Sequence, residues 1–214
     1  MIDRQALGRR AEAVFSEQWS RDHWELHSLL DRDSYTLQHS LVAGRRYPRV
    51  LEIGCGTGMF TERIAPLADS IVALDVAPNA IQRARARHLP GVDFRVANVM
   101  DFDAGAEGPW DLIVMSETIY CVGWLYPFFE VGWMLSSLFA ATRPGGRFLM
   151  ANTYGHDRDY LLLPFLIDSY RDLCLNVGFT PEYETVFRGG KNGVEMEILV
   201  SLLQRHPGAA DADG

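Results

Sequence analysis

The chain has 214 residues, and no apolar run in it approaches the ~20 residues a membrane-spanning helix needs. Its greasiest stretches are broken by Pro127, Glu130, Pro164 and Asp168. Cysteine is scarce: only Cys55, Cys121 and Cys174, an odd count with each thiol inside apolar sequence. That argues against a disulfide frame and predicts buried, reduced thiols in a cytoplasmic protein. The N-terminal "MIDRQALGRRAEAVF" lacks the apolar core of a secretory signal. Positive charge is also short, with 20 Lys and Arg against 28 Asp and Glu and a formal net charge of -8. The densest basic run, Arg83 to His88, reads as a solvated helix face, so neither nucleic acid nor membrane is expected as a partner. His23 and His27 stand four apart with no third ligand in the pattern, and no metal is expected.

What is present is an ordinary globular composition, 48% hydrophobic and 22% charged, enough for one substantial domain. Residues 1–45 are polar and helical in pattern, with "SYTLQHSLVAG" reading as a helix capped by Ser34. From residue 46 the texture changes. Strands are predicted at 49–53, 70–75, 92–97, 110–116 and 147–152, with helical segments between them. Strands without apolar alternation, separated by helices, indicate a parallel sheet covered on both faces. Two later strands, "FTPEYETVF" and "GVEMEILVSLL", stand close together and favour an antiparallel pair at one edge. The expected division is a helical cap or lid over 1–45, the main domain over 46–205 and a disordered tail over 206–214.

"LEIGCGTGMF" places Glu52 on the first strand, then Gly54, Gly56 and Gly58 at alternate positions before a helix. A glycine turn of this kind lets backbone approach a ligand closely. Dinucleotide folds space their glycines G-x-G-x-x-G, so nicotinamide-linked redox chemistry is disfavoured. A carboxylate beside the loop would repel phosphate and suits a ligand with positive charge. Asp75, ending the second strand, can accept both hydroxyls of a ribose. A nucleoside with a cationic, amino-acid tail and no phosphate answers this description, and S-adenosylmethionine is such a molecule.

With "IVALDVAPNAI" and "WDLIVMSETIYCV" following in order, residues 45–155 resemble the class I S-adenosylmethionine-dependent methyltransferases. "SETIYCV" together with "ALDVAPNAIQRARAR" is more loosely similar to the nodulation N-methyltransferases, which modify an amino sugar, and to their small-molecule relatives. The resemblance implies an α/β fold: a Rossmann-like, doubly wound, seven-stranded and mostly parallel sheet, with an antiparallel edge hairpin and an N-terminal helical cap. It implies that Gly54, Cys55, Gly56 and Gly58 pass beneath the methionine part of the cofactor, with Glu52 supporting the loop or taking the amino group. Asp75 would hold the ribose and Val76 would lie against the adenine. Asn98 stands where the family usually has an acid for the adenine amino group, with Asp101 and Asp103 as substitutes. Val99 and Ser116, at neighbouring strand ends, complete the expected cofactor site.

The fourth strand is followed by neither an N-P-P-Y-like turn nor a metal-binding acid pair. This disfavours adenine and glutamine as acceptors, and catechol-type chemistry. A small acceptor with an amino or hydroxyl group is implied, with S-adenosylhomocysteine as the other product, in a natural-product or amino-sugar context. An amine must arrive neutral and lose a proton, for which Glu117 at the end of the fourth strand is the first candidate. Its other reading is a cap on the following turn or a contact to the cofactor. His156, in the loop after the fifth strand, would be the base for a hydroxyl acceptor. Tyr120 and Trp124 would wall the acceptor pocket, joined by Tyr154 and by Trp24 and Tyr35 from the cap. N-methylation, O-methylation and a non-catalytic cofactor-binding scaffold remain open at this point, and nothing in the pattern sets an oligomeric state.

Overall fold

The computed structural model describes residues 3–20, 28–156, 163–191 and 193–208. Two helices, α1 (Arg4–Ser20) and α2 (Leu29–Val42), precede the sheet. There follow β1 (Tyr47–Ile53), α3 (Met59–Ile64), β2 (Ala68–Asp75), α4 (Pro78–Arg85), β3 (Val92–Val96), α5 (Ala104–Glu107) and β4 (Trp110–Ser116). The chain continues through α6 (Ile119–Leu125), α7 (Phe128–Ala141), β5 (Thr142–His156), α8 (Leu163–Asn176), β6 (Phe179–Lys191) and β7 (Val194–Arg205). The seven strands form one sheet in the order β3-β2-β1-β4-β5-β7-β6. The pairings among β1 to β5 are parallel, and β7 pairs antiparallel with both β5 and β6.

The middle strands carry apolar residues on both sides because both of their faces are covered. In β4 every residue from Trp110 to Met115 is buried. Alternate residues of β1 feed two cores: Leu51 and Ile53 join the layer of α6, α7 and α8, while Val50 joins that of α2, α3 and α4. This period-two division is what a pleated strand imposes. Cys55, Cys121 and Cys174 are buried, free thiols.

Several boundaries differ from the sequence expectation. α2 is capped by Ser28, whose hydroxyl accepts from the Asp31 amide at 3.1 Å, rather than by Ser34. Ser34 lies inside the helix, buried, and accepts from Gln38 Nε2 at 3.0 Å. The helix begins earlier because Leu30 also packs into the core. α3 stops at Ile64, and Pro66 sits in a 3-10 turn over Ala65–Leu67. Pro66 lacks the N–H that would continue the α-helical ladder. β5 is far longer than predicted because β7 pairs along it from Arg147 to His156. The basic run at the end of α4 is only partly a solvated face. Arg85 donates to the Phe94 carbonyl, and Arg87 donates to the Thr57 carbonyl and pairs with Glu62.

Candidate functional site

β1 and β4 are adjacent, and the chain leaves them toward opposite sides of the sheet order. Open α/β sheets bind ligands beyond the strand ends at such a switch point. Here the three glycines after β1 all take left-handed backbone, with φ of +76° at Gly54, +52° at Gly56 and +77° at Gly58. The loop is tied to β2: the amides of Gly54 and Cys55 both donate to the Leu74 carbonyl, at 2.8 and 2.9 Å. Asp75 completes the tie, with Oδ2 accepting from the Gly56 amide and Oδ1 from the Ala77 amide, both at 2.9 Å. Each carboxylate oxygen retains a lone pair for a further donor. Burial pushes the Asp75 carboxyl up to about 6, against the pull of these amides.

The loop floors an open cleft of about 920 Å³ including its mouth. Gly54, Cys55, Gly56, Asp75, Val76, Asn98, Val99, Ser116, Glu117 and Tyr35 all line it. One helix closes over the top: Ala11, Phe15 and Trp19 of α1 face the cleft. α1 is held at both ends, by an Arg4–Glu130 ion pair to α7 and by Asn79 Nδ2 donating to the Ser16 carbonyl at 2.8 Å.

The amide of Asn98 is partly committed within the wall. Its Nδ2 donates to the Tyr126 hydroxyl at 2.6 Å and its Oδ1 accepts from the Met100 amide at 3.0 Å. Asp101 and Asp103 do not line this cleft, and Asp103 caps α5 through the Ala106 amide. Glu117 stands at the mouth of β4. Its Oε2 accepts from Thr153 Oγ1 at 2.6 Å and from the Thr153 amide at 3.1 Å. Its Oε1 is buried and has no hydrogen-bond partner. Burial raises the carboxyl above the usual glutamate range, opposed by the Thr153 hydrogen bonds and by the nearby Tyr120 hydroxyl. Across the cleft the Tyr35 hydroxyl is raised in turn, first by burial and then by the charges of Asp31 and Glu117.

Other expected residues stand elsewhere. Glu52 is buried beneath the loop and is absent from the cleft wall; burial, with the nearby Asp75 charge, pushes it up to about 8. Gly58 begins α3, and a Cβ there would meet Phe94 and Arg87, not cleft space. Tyr120 and Trp124 stack edge to face at 5.2 Å on the flank of α6. The helical period turns Cys121, Val122 and Leu125 toward the cleft and leaves Tyr120 and Trp124 off it. Trp124 is 54% exposed. Tyr154 donates to Asp168 on α8 and lies outside the lining. Trp24, His23, His27 and the side chain of His156 fall outside the described residues. Tyr126 and Phe15 were missed in the sequence reading; a helix set by Cys121 and Val122 would have pointed to Tyr126, and the spacing of Ala11, Phe15 and Trp19 to Phe15. Among the described residues no group of three or more His, Cys, Asp or Glu could hold a metal ion. No described helix is long and apolar enough to cross a membrane.

Residues 51–148 match the family described as a methyltransferase domain. With this sheet order, the glycine loop and the acid ending β2, that segment resembles the class I S-adenosylmethionine-dependent methyltransferase domains. The chain is 34% identical over 111 residues to nodulation protein S of Rhizobium tropici, covering 51% of this chain and 43% of that protein. It thus spans about half the length of the curated relatives it matches or less. In fold it is similar to the N-methyltransferase NodS of Bradyrhizobium japonicum, solved with S-adenosyl-L-homocysteine. That match has a TM-score of 0.72 at 21% identity and covers 89% of this chain and 97% of that one. It is also similar to 1,6-didemethyltoxoflavin-N1-methyltransferase of Burkholderia thailandensis, with a TM-score of 0.68 at 21% identity over 95% of this chain and 89% of that one.

Proposed function

We propose that the protein transfers a methyl group from S-adenosylmethionine to an amino nitrogen of a small molecule. The observation that carries this reading is the buried, unpartnered Oε1 of Glu117 in the wall of a cleft floored by the glycine loop. The residues present fit the cofactor. Gly54, Cys55 and Gly56 offer backbone for its methionine part, Asp75 has lone pairs to spare for a ribose, and Val76 and Val99 flank the place for an adenine. Asn98 and Ser116 supply the remaining polar contacts. Bound there, S-adenosylmethionine supplies a methyl carbon already activated by its sulfonium.

The protein's own part is to place, dry and deprotonate. α1, through Phe15 and Trp19, excludes water from the cleft. Glu117 Oε1 receives the proton that an amine must shed, leaving the nitrogen lone pair free for the methyl carbon. Tyr35 orients the acceptor from the opposite wall. Nitrogen is favoured over oxygen because both solved neighbours described above bear N-methyltransferase names. An amino sugar or another natural-product amine is the acceptor class that fits the resemblance to nodulation protein S. The cap over 1–45 is assigned to acceptor selection.

The test is a screen of purified protein with methyl-labelled S-adenosylmethionine against panels of amines, phenols, sugar alcohols and carboxylates. Label in amines alone, lost in Glu117→Gln while S-adenosylhomocysteine still binds, is the expected result. Label in hydroxyl acceptors at the same level in wild type and Glu117→Gln would refute it.

A further inference from the structure

Glu117 sits on backbone that a glutamate adopts rarely, with φ of +51°. Such a conformation is strained and persists only where surrounding contacts over-determine it. β5 supplies those contacts. The Glu117 amide donates to the Ala151 carbonyl at 2.7 Å. The fully buried Asn152 accepts through Oδ1 from the amides of Thr118 and Ile119, both at 3.0 Å. These three bonds fix the turn, and they account for the backbone without reference to the carboxylate.

The carboxylate is held separately, and unevenly. Thr153 gives both its hydroxyl and its amide to Oε2, and Oε1 receives nothing although it is buried. A buried acceptor left without a donor is destabilising. A glutamate whose only task was to close the turn would not need that arrangement. The groups facing it are Tyr120 and Cys121 on α6 and Tyr35 and Asp31 on α2, with Asp31 paired to Lys191 of β6.

We propose that Thr153 is the positioning residue for Glu117: it pins one carboxylate oxygen so that the other faces the acceptor unshared. This rests on the role given to Glu117 above. Because a hydrogen bond to the charged form favours that form, loss of the hydroxyl must raise the proton affinity of Glu117.

Thr153→Val preserves shape and the amide while removing the hydroxyl, and Thr153→Ser restores it. Carbon-13 NMR of labelled glutamate carboxyls follows the titration, with the Glu117 signal identified by its absence in Glu117→Gln. The expected result is a midpoint raised by about half a pH unit or more in Thr153→Val, returned in Thr153→Ser, with calorimetric affinity for S-adenosylhomocysteine unchanged. With the amine found by the screen, the acid limb of kcat/KM should move by the same amount. Thr153→Ala serves in the same way if the valine does not fold. A midpoint and acid limb unmoved in a folded variant would overturn the proposal. Turnover untouched in Glu117→Gln would instead remove the proton-accepting role, and the NMR midpoint would still decide whether Thr153 orders the carboxylate.

Discussion

Trp19 stands where a side chain on Gly56 would have to grow: a Cβ placed there lies 2.6 Å from Cζ2 of the indole. The obstacle at this glycine is the protein's own α1, where the glycine loop alone suggested a clash with ligand. Gly56→Ala is therefore expected to displace Trp19 and open the cleft as well as strain the φ of +52°. Tryptophan emission should shift to the red, with Trp19→Phe as the reference among five tryptophans, and S-adenosylhomocysteine affinity should fall at least tenfold, about 1.4 kcal/mol. Unchanged emission with normal binding would show that α1 does not pack there.

Gly54→Ala tests the other side of the loop. Its Cβ would lie 2.1 Å from Thr118 Oγ1, on backbone with a φ of +76°. Thr118 is fixed by its hydroxyl donating to the Ser116 carbonyl at 2.8 Å, so it cannot swing away without losing that bond. The variant should lose roughly 2–4 kcal/mol of stability, read by urea unfolding. A loss below half of that would mean the turn yields easily.

Buried acids make stability depend on pH. Glu52 titrates near 8 in the folded protein against an ordinary 4.5, and Asp75 near 6 against 3.8. Both values are raised, so the folded state holds these protons more tightly than the unfolded one. Their stabilising effect is full below about pH 4 and is lost as pH rises through 6 for Asp75 and 8 for Glu52. Glu52→Gln should flatten the upper part of this decline and raise the melting temperature at pH 8 by roughly 5 °C. A melting curve of the variant parallel to wild type from pH 5 to 8 would count against a buried, proton-holding Glu52.

Asn79 ties α1 to α4, so release of α1 should be measurable. Asn79→Ala removes the hydrogen bond to the Ser16 carbonyl. Amide exchange across residues 11–20 should accelerate in the free protein and slow when S-adenosylhomocysteine is added. Strong protection in both states would refute a movable cap.

The sheet was legible in the sequence because its signal is local. β4 was placed at its observed bounds, since an apolar run flanked by Pro109 and the polar "SET" has no competing reading. The glycine loop and Asp75 were legible for the same reason: their spacing is set by covalent neighbours and by a backbone conformation that favours glycine. The acceptor side was not. Tyr120 and Trp124 follow Glu117 directly, yet α6 starts at Ile119 and its rotation carries them off the cleft. Helix phase depends on where the first turn closes, and that is decided by Asn152, thirty-odd residues away on another strand. Thr153 escaped notice because a lone threonine in a strand carries no pattern; only the pairing of β4 with β5 brings it to Glu117. Ser34 misled as a cap because its neighbours are polar, while Leu30, one turn earlier, is what the core holds.

β7 follows β6 in the chain but lies between β6 and β5 in the sheet. As the polypeptide leaves the ribosome, β6 emerges with no edge to join, because its only neighbour has yet to be made. The twelve residues of β7 then supply both missing ladders together, and Arg205 closes over the end of α7 through the carbonyls of Ala140 and Thr142. A chain cut short before Val194 forfeits two strands and that clasp in one stroke. Partial products of translation therefore differ from the finished protein by a whole sheet edge.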